Sequence, residues 1–476
     1  MKSNTVDELF FPVRIVAKEG ISNNEEGLLV KKTLQIGLSE PVLSRFKGKG
    51  YIILDFGKEL CGTARLLTYR AGNNEAKVRL RFGESVAETC AEDGYKGACN
   101  DHSNRDIVTT LRNWSDMRFC QTGFRFLRID FLQNRTYIFK SIVAEGEVFS
   151  APFVYDYNGP DKRTKEIFDT AVRTISLCAS SGMIWDGIKR DRLVWIGDMY
   201  PEAMAMMTCF GRQKIIETSL DYVRDSTPLP AWMNGFPMYS MWWIIIVSDY
   251  YFGTGAGDYV KKQLDYMKKL LKCINKCVAE DGTMNYPLYF VDWPTHGQVD
   301  EMTGVRAINV IAAKRAIKLL NEFGEDATDA EQILEKLMRG DFSVPGGAKQ
   351  VIALKHFAIG NLSKAEADRL IEGGAEGLST FMSYFILTAI RDYHGAEKAI
   401  EIMKEYYGAM LDRGATTFFE DFNMKWLEGS GRIDEMPKEG EKDLHGDYGA
   451  FCYVGYRHSF CHGWSAGVIM FIKENC

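Results

Sequence analysis

From about Tyr51 to Ser150 apolar and polar residues alternate. Val78, Leu80 and Phe82 point one way with Lys77, Arg79 and Arg81 between them, and GFRFLRIDFL (Gly123 to Leu132) and TYIFKSIVAEGEV follow the same rule. A period of two, short segments and turn residues such as AGNN predict antiparallel strands. About a hundred residues of such strands must each bury one face, which a sandwich of two sheets accomplishes.

Near Pro160 the period changes. Ile167, Ala171, Ile175 and Cys178 recur at helical spacing. The same spacing predicts helices at about 198–211, 213–225, 239–252, 257–280 and 302–324, and further on at about 328–340, 347–357, 363–373, 378–394, 395–413 and 459–474. The connectors FGTGAGD, AEDGT, FGEDATD and YHGAE are short and carry glycine, which joins neighbouring helices as antiparallel hairpins. Six hairpins closed in a ring make an (α/α)6 toroid. A helical solenoid explains the same pattern, although no constant repeat length is present. Two long irregular stretches interrupt the helices, Gly182 to Asp198 and Thr416 to Phe460, and loops of that length in a compact domain are usually functional. The expected organisation is a multidomain β + α protein, with strands over 1–155 and helices over 156–476.

A chain of 476 residues has ample apolar content for more than one core. Its net charge of −6, with Lys and Arg dispersed among acids, argues against nucleic acid and anionic membrane as partners. Eleven cysteines, an odd number scattered from Cys61 to Cys476, fit reduced thiols and not a disulfide framework. The N-terminus has no basic segment followed by an apolar one, so a cytoplasmic location is expected. WWIIIV (Trp242 to Val247) is far too short to span a bilayer and reads as part of a buried helix.

Several motifs imitate chemistry. YFGTGAGDY resembles a phosphate-binding glycine loop, but helical patterns flank it on both sides, so it reads as a helix-to-helix turn. GWSAG (Gly463 to Gly467) matches the serine-hydrolase elbow, yet no histidine follows Ser465 to complete the machinery. Cys273 with Cys277, and His458 with His462, lack the further ligands a metal requires. No metal and no cofactor are expected.

GIKRDRLVWIGDMYPE (Gly187 to Glu202) is different. Asp191 and Asp198 lie seven apart with Trp195 between and Asp186 before, so several acids can converge on one pocket. Ion pairs of Arg190 and Arg192 with these acids at a domain interface are the alternative. A second acid-bearing loop, GATTFFEDFNMKW (Gly414 to Trp426), places Glu420 beside aromatics. VDWPTHG adds Asp292 and Trp293, and NGFPMYSMWW adds Trp242 and Trp243. Carboxylates beside indoles suit a carbohydrate, whose C–H faces stack on rings while its hydroxyls need fixed partners.

With these residues in view, DGIKRDRLVWIGD resembles the signature loop of bacterial α-L-rhamnosidases (glycoside hydrolase family 78), approximately D-C-P-x-R-E-R-L-G-W-x-G-D, and GATTFFEDF resembles their G-A-T-T-x-W-E segment. LDFGKELCG, QTGFRFLRIDF, LSTFMSYFIL, YYGAMLDRGATT and CHGWSAG follow in the family's order. The resemblance implies an N-terminal β-sandwich, an (α/α)6 catalytic domain and an exo-acting, inverting glycosidase. It puts Asp191 where the family's general-acid glutamate stands and Glu420 on the general base. Inversion would leave roughly 6.5–9.5 Å between the two carboxyls. Asp186, Arg190, Trp195 and Asp198 fall on sugar-contacting positions, with the charges of Asp186 and Asp198 expected to keep Asp191 protonated. Trp293 and His462 match more loosely, and Trp243 is added from its neighbourhood. The sequence departs from the pattern at Asp191, one methylene shorter than glutamate, at Gly187-Ile188 for Cys-Pro, at Val194 for glycine and at Phe419 for tryptophan. A carbohydrate-binding relative without turnover, or an unsaturated-uronyl hydrolase on the same fold, are the other readings.

Overall fold

The computed structural model describes residues 4–38 and 42–476. Strands occupy the first third: β1 (Thr5–Phe10), β2 (Arg14–Glu19), β3 (Ser22–Asn23), β4 (Ser44–Ala71), β5 (Glu75–Gly83), β6 (Asp106–Arg112) and β7 (Ser115–Phe149). Among the described residues they form one antiparallel hydrogen-bonded sheet in the order β2-β4-β7-β5-β6, with β1 added to β7 and β3 to β4. The two long strands curl around each other. Residues 62–68 of β4 pair on one side with 115–122 and on the other with 139–146, so β7 returns along the opposite edge of β4. Alternation then does what the sequence expects: Phe46, Leu54, Leu66, Leu80, Phe82, Phe124 and Phe139 are all buried in one core.

Helices follow α1 (Val86–Cys90), which sits within the strand region. They are α2 (Lys162–Cys178), α3 (Met199–Phe210), α4 (Lys214–Ser226), α5 (Pro237–Thr254), α6 (Gly257–Val260), α7 (Leu264–Cys277) and α8 (Glu301–Glu322). The chain continues through α9 (Thr328–Leu337), α10 (Lys349–Ile359), α11 (Lys364–Ile371), α12 (Ser383–His394), α13 (Ala396–Asp412) and α14 (Val468–Asn475). Alternate helices pack on one another in sequence: α3 on α5, α5 on α8, α8 on α10, α10 on α12 and α12 on α14, and α14 returns to α3. This is a multidomain β + α architecture. No described helix is long and apolar enough to cross a membrane; α5, which carries WWIIIV, is buried over most of its length.

Tertiary contacts move some boundaries. The expected helix 257–280 divides into α6 and α7 near Gln263, a buried amide that donates to Asp221 (3.0 Å). The expected helix 459–474 begins only at Val468, preceded by a short 3-10 turn over Gly463–Gly467. Residues 459–462 are not helical because their backbone is taken by another segment: Glu420 N donates to Ser459 O (2.9 Å) and His462 N to Phe418 O (3.1 Å). That pairing overrides the local helical spacing. FGTGAGDY is the expected inter-helix turn, with Gly255 left-handed at the end of α5 (φ 68°).

The strand region holds both irregular stretches in place. Gly123 N donates to Ile188 O (3.0 Å), Val86 N to Ile433 O (2.9 Å) and Glu59 N to Thr416 Oγ1 (2.9 Å). Arg125 clamps Asp55 through two nitrogens and reaches Gly414 O with the third (2.9 Å).

Candidate active site

The stretch 186–198 folds back on itself. Asp186 N donates to Leu193 O (3.0 Å) and Leu193 N to Asp186 Oδ1 (2.9 Å), closing a loop whose apex holds Asp191 and Arg192 at φ 54° and 53°. Left-handed backbone at two consecutive non-glycine residues is unfavourable by roughly 1–2 kcal/mol each, so the surroundings must hold it. They do so from three sides: Gly123 meets Ile188, Asn234 bonds Ile196 N and Val194 O, and Gly463 N donates to Asp186 O (2.7 Å). Glycine is required at Gly123, where a Cβ would come within 2.5 Å of Ile188, and at Gly197, where it would lie 2.1 Å from the Tyr239 ring.

Glu420 is fixed equally firmly. Its Oε2 accepts from Ser459 N (3.0 Å), and its carbonyl accepts from Trp464 Nε1 (2.8 Å) and Thr380 Oγ1 (2.5 Å). The two loops meet at Arg190. One terminal nitrogen of its guanidinium bonds Glu420 Oε1, the other lies 3.0 Å from Asp191 Oδ2, and Nε donates to Arg457 O (2.7 Å). Arg190 is therefore a buried cation shared between two carboxyl groups, and although burial opposes its charge, Glu420 and Asp191 raise its affinity for the proton.

A cavity of about 220 Å³ opens beside this trio. Asp186, Arg190, Asp191, Trp195, Asp198, Trp293, Glu420 and His462 line it, joined by Phe236, Tyr239, Cys452 and Trp464. Asp191 stands toward solvent with 27% of its side chain exposed, whereas Glu420 lies deep at 4%. Trp195 meets Phe236 and Tyr239 edge-on, and Trp293 stacks on Phe451 (5.7 Å between centroids). His462 Nε2 looks onto three acids: Asp186 Oδ2 at 4.0 Å, Asp198 Oδ2 at 3.9 Å and Glu420 Oε1 at 3.8 Å. Burial, reinforced by Arg190, drives its pKa far below the usual imidazole range, so the ring is neutral.

Two acids differ from the sequence expectation in charge. Burial pushes Asp198 up to about 8 despite the hydrogen bond from Tyr239 OH (3.1 Å). Burial, with Asp198 nearby, raises Asp186 well above the carboxylate range. Burial thus holds both toward the protonated form, in which they offer O–H donors and not the negative field that was to keep Asp191 protonated. A third buried acid, Glu202, lies beneath them, also raised by burial.

Two expected residues fall elsewhere. Trp243 is wholly buried in the helical core, with Nε1 donating to Leu220 O (3.3 Å) and its ring against Tyr266. It sits one turn too deep along α5; Tyr239 is the residue of that helix that reaches the cavity. Asp292 stands behind Trp293, where it accepts from Thr295 N (3.1 Å) and Thr295 Oγ1 (2.5 Å) and so caps the turn that presents the indole. Of the residues missed by sequence reasoning, Trp464 was visible inside GWSAG and Tyr239 inside NGFPMYSMWW, but neither had a spacing that separated it from its apolar neighbours.

No protein-family model matches the sequence, and none of the curated proteins matches it significantly. Solved structures do. A rhamnosidase from Klebsiella oxytoca with rhamnose bound superposes with a TM-score of 0.76 at 17% identity over 99% of this chain and 96% of its own. The family GH78 rhamnosidase of Bacillus sp. GL1 gives 0.65 at 17% identity over 90% of this chain and 46% of its own. The α-L-rhamnosidase of Streptomyces avermitilis, complexed with L-rhamnose, gives 0.66 at 18% over 88% and 41%. This chain thus spans nearly all of the first and under half of the other two, and it has the fold of the α-L-rhamnosidases.

Proposed function

We propose that the protein is an exo-acting, inverting glycosidase that removes a terminal α-L-rhamnose-like sugar from a small glycoside or oligosaccharide. The observation that carries this reading is Arg190 held between Asp191 and Glu420 in a one-sugar cavity, the acid at its mouth and the base at its floor. In this reading the cavity admits one terminal sugar and leaves the aglycone outside, beside Asp191. In this reading Asp191 protonates the departing oxygen and ionised Glu420 draws a proton from water attacking the opposite face of the ring. Arg190 orients both carboxyls. Asp186, Asp198 and His462 hold sugar hydroxyls, Trp195 offers a face to the ring, and Trp293 guards the rim. The fold-level likeness to rhamnose-bound rhamnosidases supports the choice of sugar. We read the strands over 1–155 as a β-sandwich domain and the helices over 156–476 as an (α/α)6 toroid whose inner ring is α3, α5, α8, α10, α12 and α14. Eleven unpaired thiols fit a cytoplasmic setting.

The test is hydrolysis of p-nitrophenyl glycosides, led by the α-L-rhamnoside, by wild type, Asp191→Asn and Glu420→Gln. Release by wild type and a loss of at least roughly a hundredfold in each variant is expected. Proton NMR of the first sugar anomer released distinguishes inversion from retention. Turnover of unsaturated disaccharides but of no rhamnoside would replace the reading with hydration of an enol ether.

A further inference from the structure

Lys189, next to Arg190, plays no part in the chemistry above, yet it is 6% exposed and surrounded by polar groups from three separate regions. Its Nζ lies 3.1 Å from Glu84 Oε2 and 3.2 Å from Glu88 Oε1, both acids from the strand region. The ammonium also donates to Tyr456 O (2.8 Å) and His458 O, and His445 Nε2 lies 3.3 Å away. The cage walls are themselves fixed. Glu84 Oε2 accepts from Phe460 N (2.6 Å), Glu88 Oε2 from Glu84 N (2.8 Å), and Ser85 Oγ stands 2.8 Å from His445 Nδ1.

Five of the bonds around this cage reach the segment 456–460, which is the segment that aligns the reacting groups. Lys189 takes the carbonyls of Tyr456 and His458, Arg190 Nε takes that of Arg457, and Glu84 takes the amide of Phe460. Ser459, between them, donates its N–H to Glu420 Oε2 and accepts from Glu420 N. Without the ammonium, Glu84 and Glu88 face each other buried, Tyr456 O loses its donor and His458 O keeps only His445 Nε2 (2.8 Å), so the segment must shift.

We propose that Lys189 is a positioning residue whose ammonium pins the strand region, the 187–191 loop and the 456–460 segment at one point, setting where Glu420 and Arg190 stand relative to Asp191. The inference rests on the glycosidase reading for its kinetic consequence, but its structural part is independent of it.

The experiment uses the full chain as wild type, Lys189→Met, Lys189→Ala and the milder Glu88→Gln. Two quantities are read: kcat and KM on p-nitrophenyl α-L-rhamnoside, and amide hydrogen exchange of peptides covering 187–193 and 456–463. Lys189→Met is expected to lower kcat on the order of a hundredfold with KM little changed, since a misplacement of about 1 Å costs that much, and to speed exchange in both peptides. Ethylammonium, but not tetramethylammonium, should restore part of the activity and protection in Lys189→Ala. Glu88→Gln should show the same pattern at roughly a tenth of the size. Protection and kcat within threefold of wild type in a folded Lys189→Met overturn the proposal, and if that variant does not fold, unchanged values in Glu88→Gln do so. A wild type silent on every rhamnoside defeats the glycosidase reading, and the exchange data then decide the positioning claim alone.

Discussion

Asp198→Asn separates the electrostatic account of the pocket from its geometry. Asp198 is buried, and its pKa is pushed from the usual 3.8 up to about 8, chiefly by that burial. Between these values the folded protein keeps a proton that the unfolded chain has lost, so stability falls as pH rises, by about 1.4 kcal/mol per unit. Asp198 therefore contributes fully below pH 4 and progressively less until about pH 8. From pH 5 to pH 8 the loss amounts to roughly 4 kcal/mol. Asparagine keeps the oxygen that accepts from Tyr239 and has no proton to lose, while Asp186 and Glu202 titrate in both proteins and cancel to first order in the comparison. Urea unfolding at pH 5, 6, 7 and 8, followed by both tryptophan fluorescence and far-ultraviolet circular dichroism, tests for a single transition as well as for stability. Relative to wild type, the variant should gain roughly 4 kcal/mol between pH 5 and pH 8. Parallel profiles, or a wild type that gains on the variant as pH rises, would refute a protonated Asp198.

Three further outcomes are expected. Arg190→Lys keeps the charge but not the fork that reaches Glu420, Asp191 and Arg457 O together, so kcat on the α-L-rhamnoside should fall on the order of a hundredfold with the fold intact by circular dichroism. Gly123→Ala drives a Cβ to within 2.5 Å of Ile188 and should destabilise by about 1–3 kcal/mol in thermal melts, with a loss of activity because the displaced residue lies in the 186–193 loop. Trp243→Phe and Trp195→Ala should act oppositely: the first lowers Tm and leaves KM alone, since its indole serves the core, whereas the second raises KM with little change in Tm.

The site was legible where its residues are neighbours in sequence. Asp186, Arg190, Asp191, Trp195 and Asp198 occupy thirteen consecutive positions, and a polar cluster inside an irregular stretch is visible without any fold. Glu420, distant in sequence, was legible as an acid beside aromatics in the second irregular stretch. What could not be read was anything set by depth. Trp243 and Tyr239 share a helix four residues apart and look equally suitable, yet only the first turn of α5 faces the cavity. The charges of Asp186 and Asp198 follow from burial that the completed fold imposes. Lys189 carries no signal of its own within KRDR, because its partners at Glu84, Glu88 and His445 come from distant parts of the chain. Among the elements, strands and helices followed their periods, and the one helix placed wrongly by nine residues at its start, α14, was displaced where Ser459 pairs with Glu420.

The left-handed pair at Asp191 and Arg192 bears on how this chain can be evolved in the laboratory. Replacing Arg192 by glycine relieves about 1 kcal/mol of backbone strain, while the freer unfolded chain of a glycine and the lost exposed hydrogen bond to Gln121 O (2.8 Å) together take back a similar amount. A screen for thermal resistance is then blind to the change. The loop, however, gains conformations at the position adjoining Asp191, and a library sorted on heat alone accumulates variants whose acid has lost its aim, whereas one sorted on turnover retains the strain.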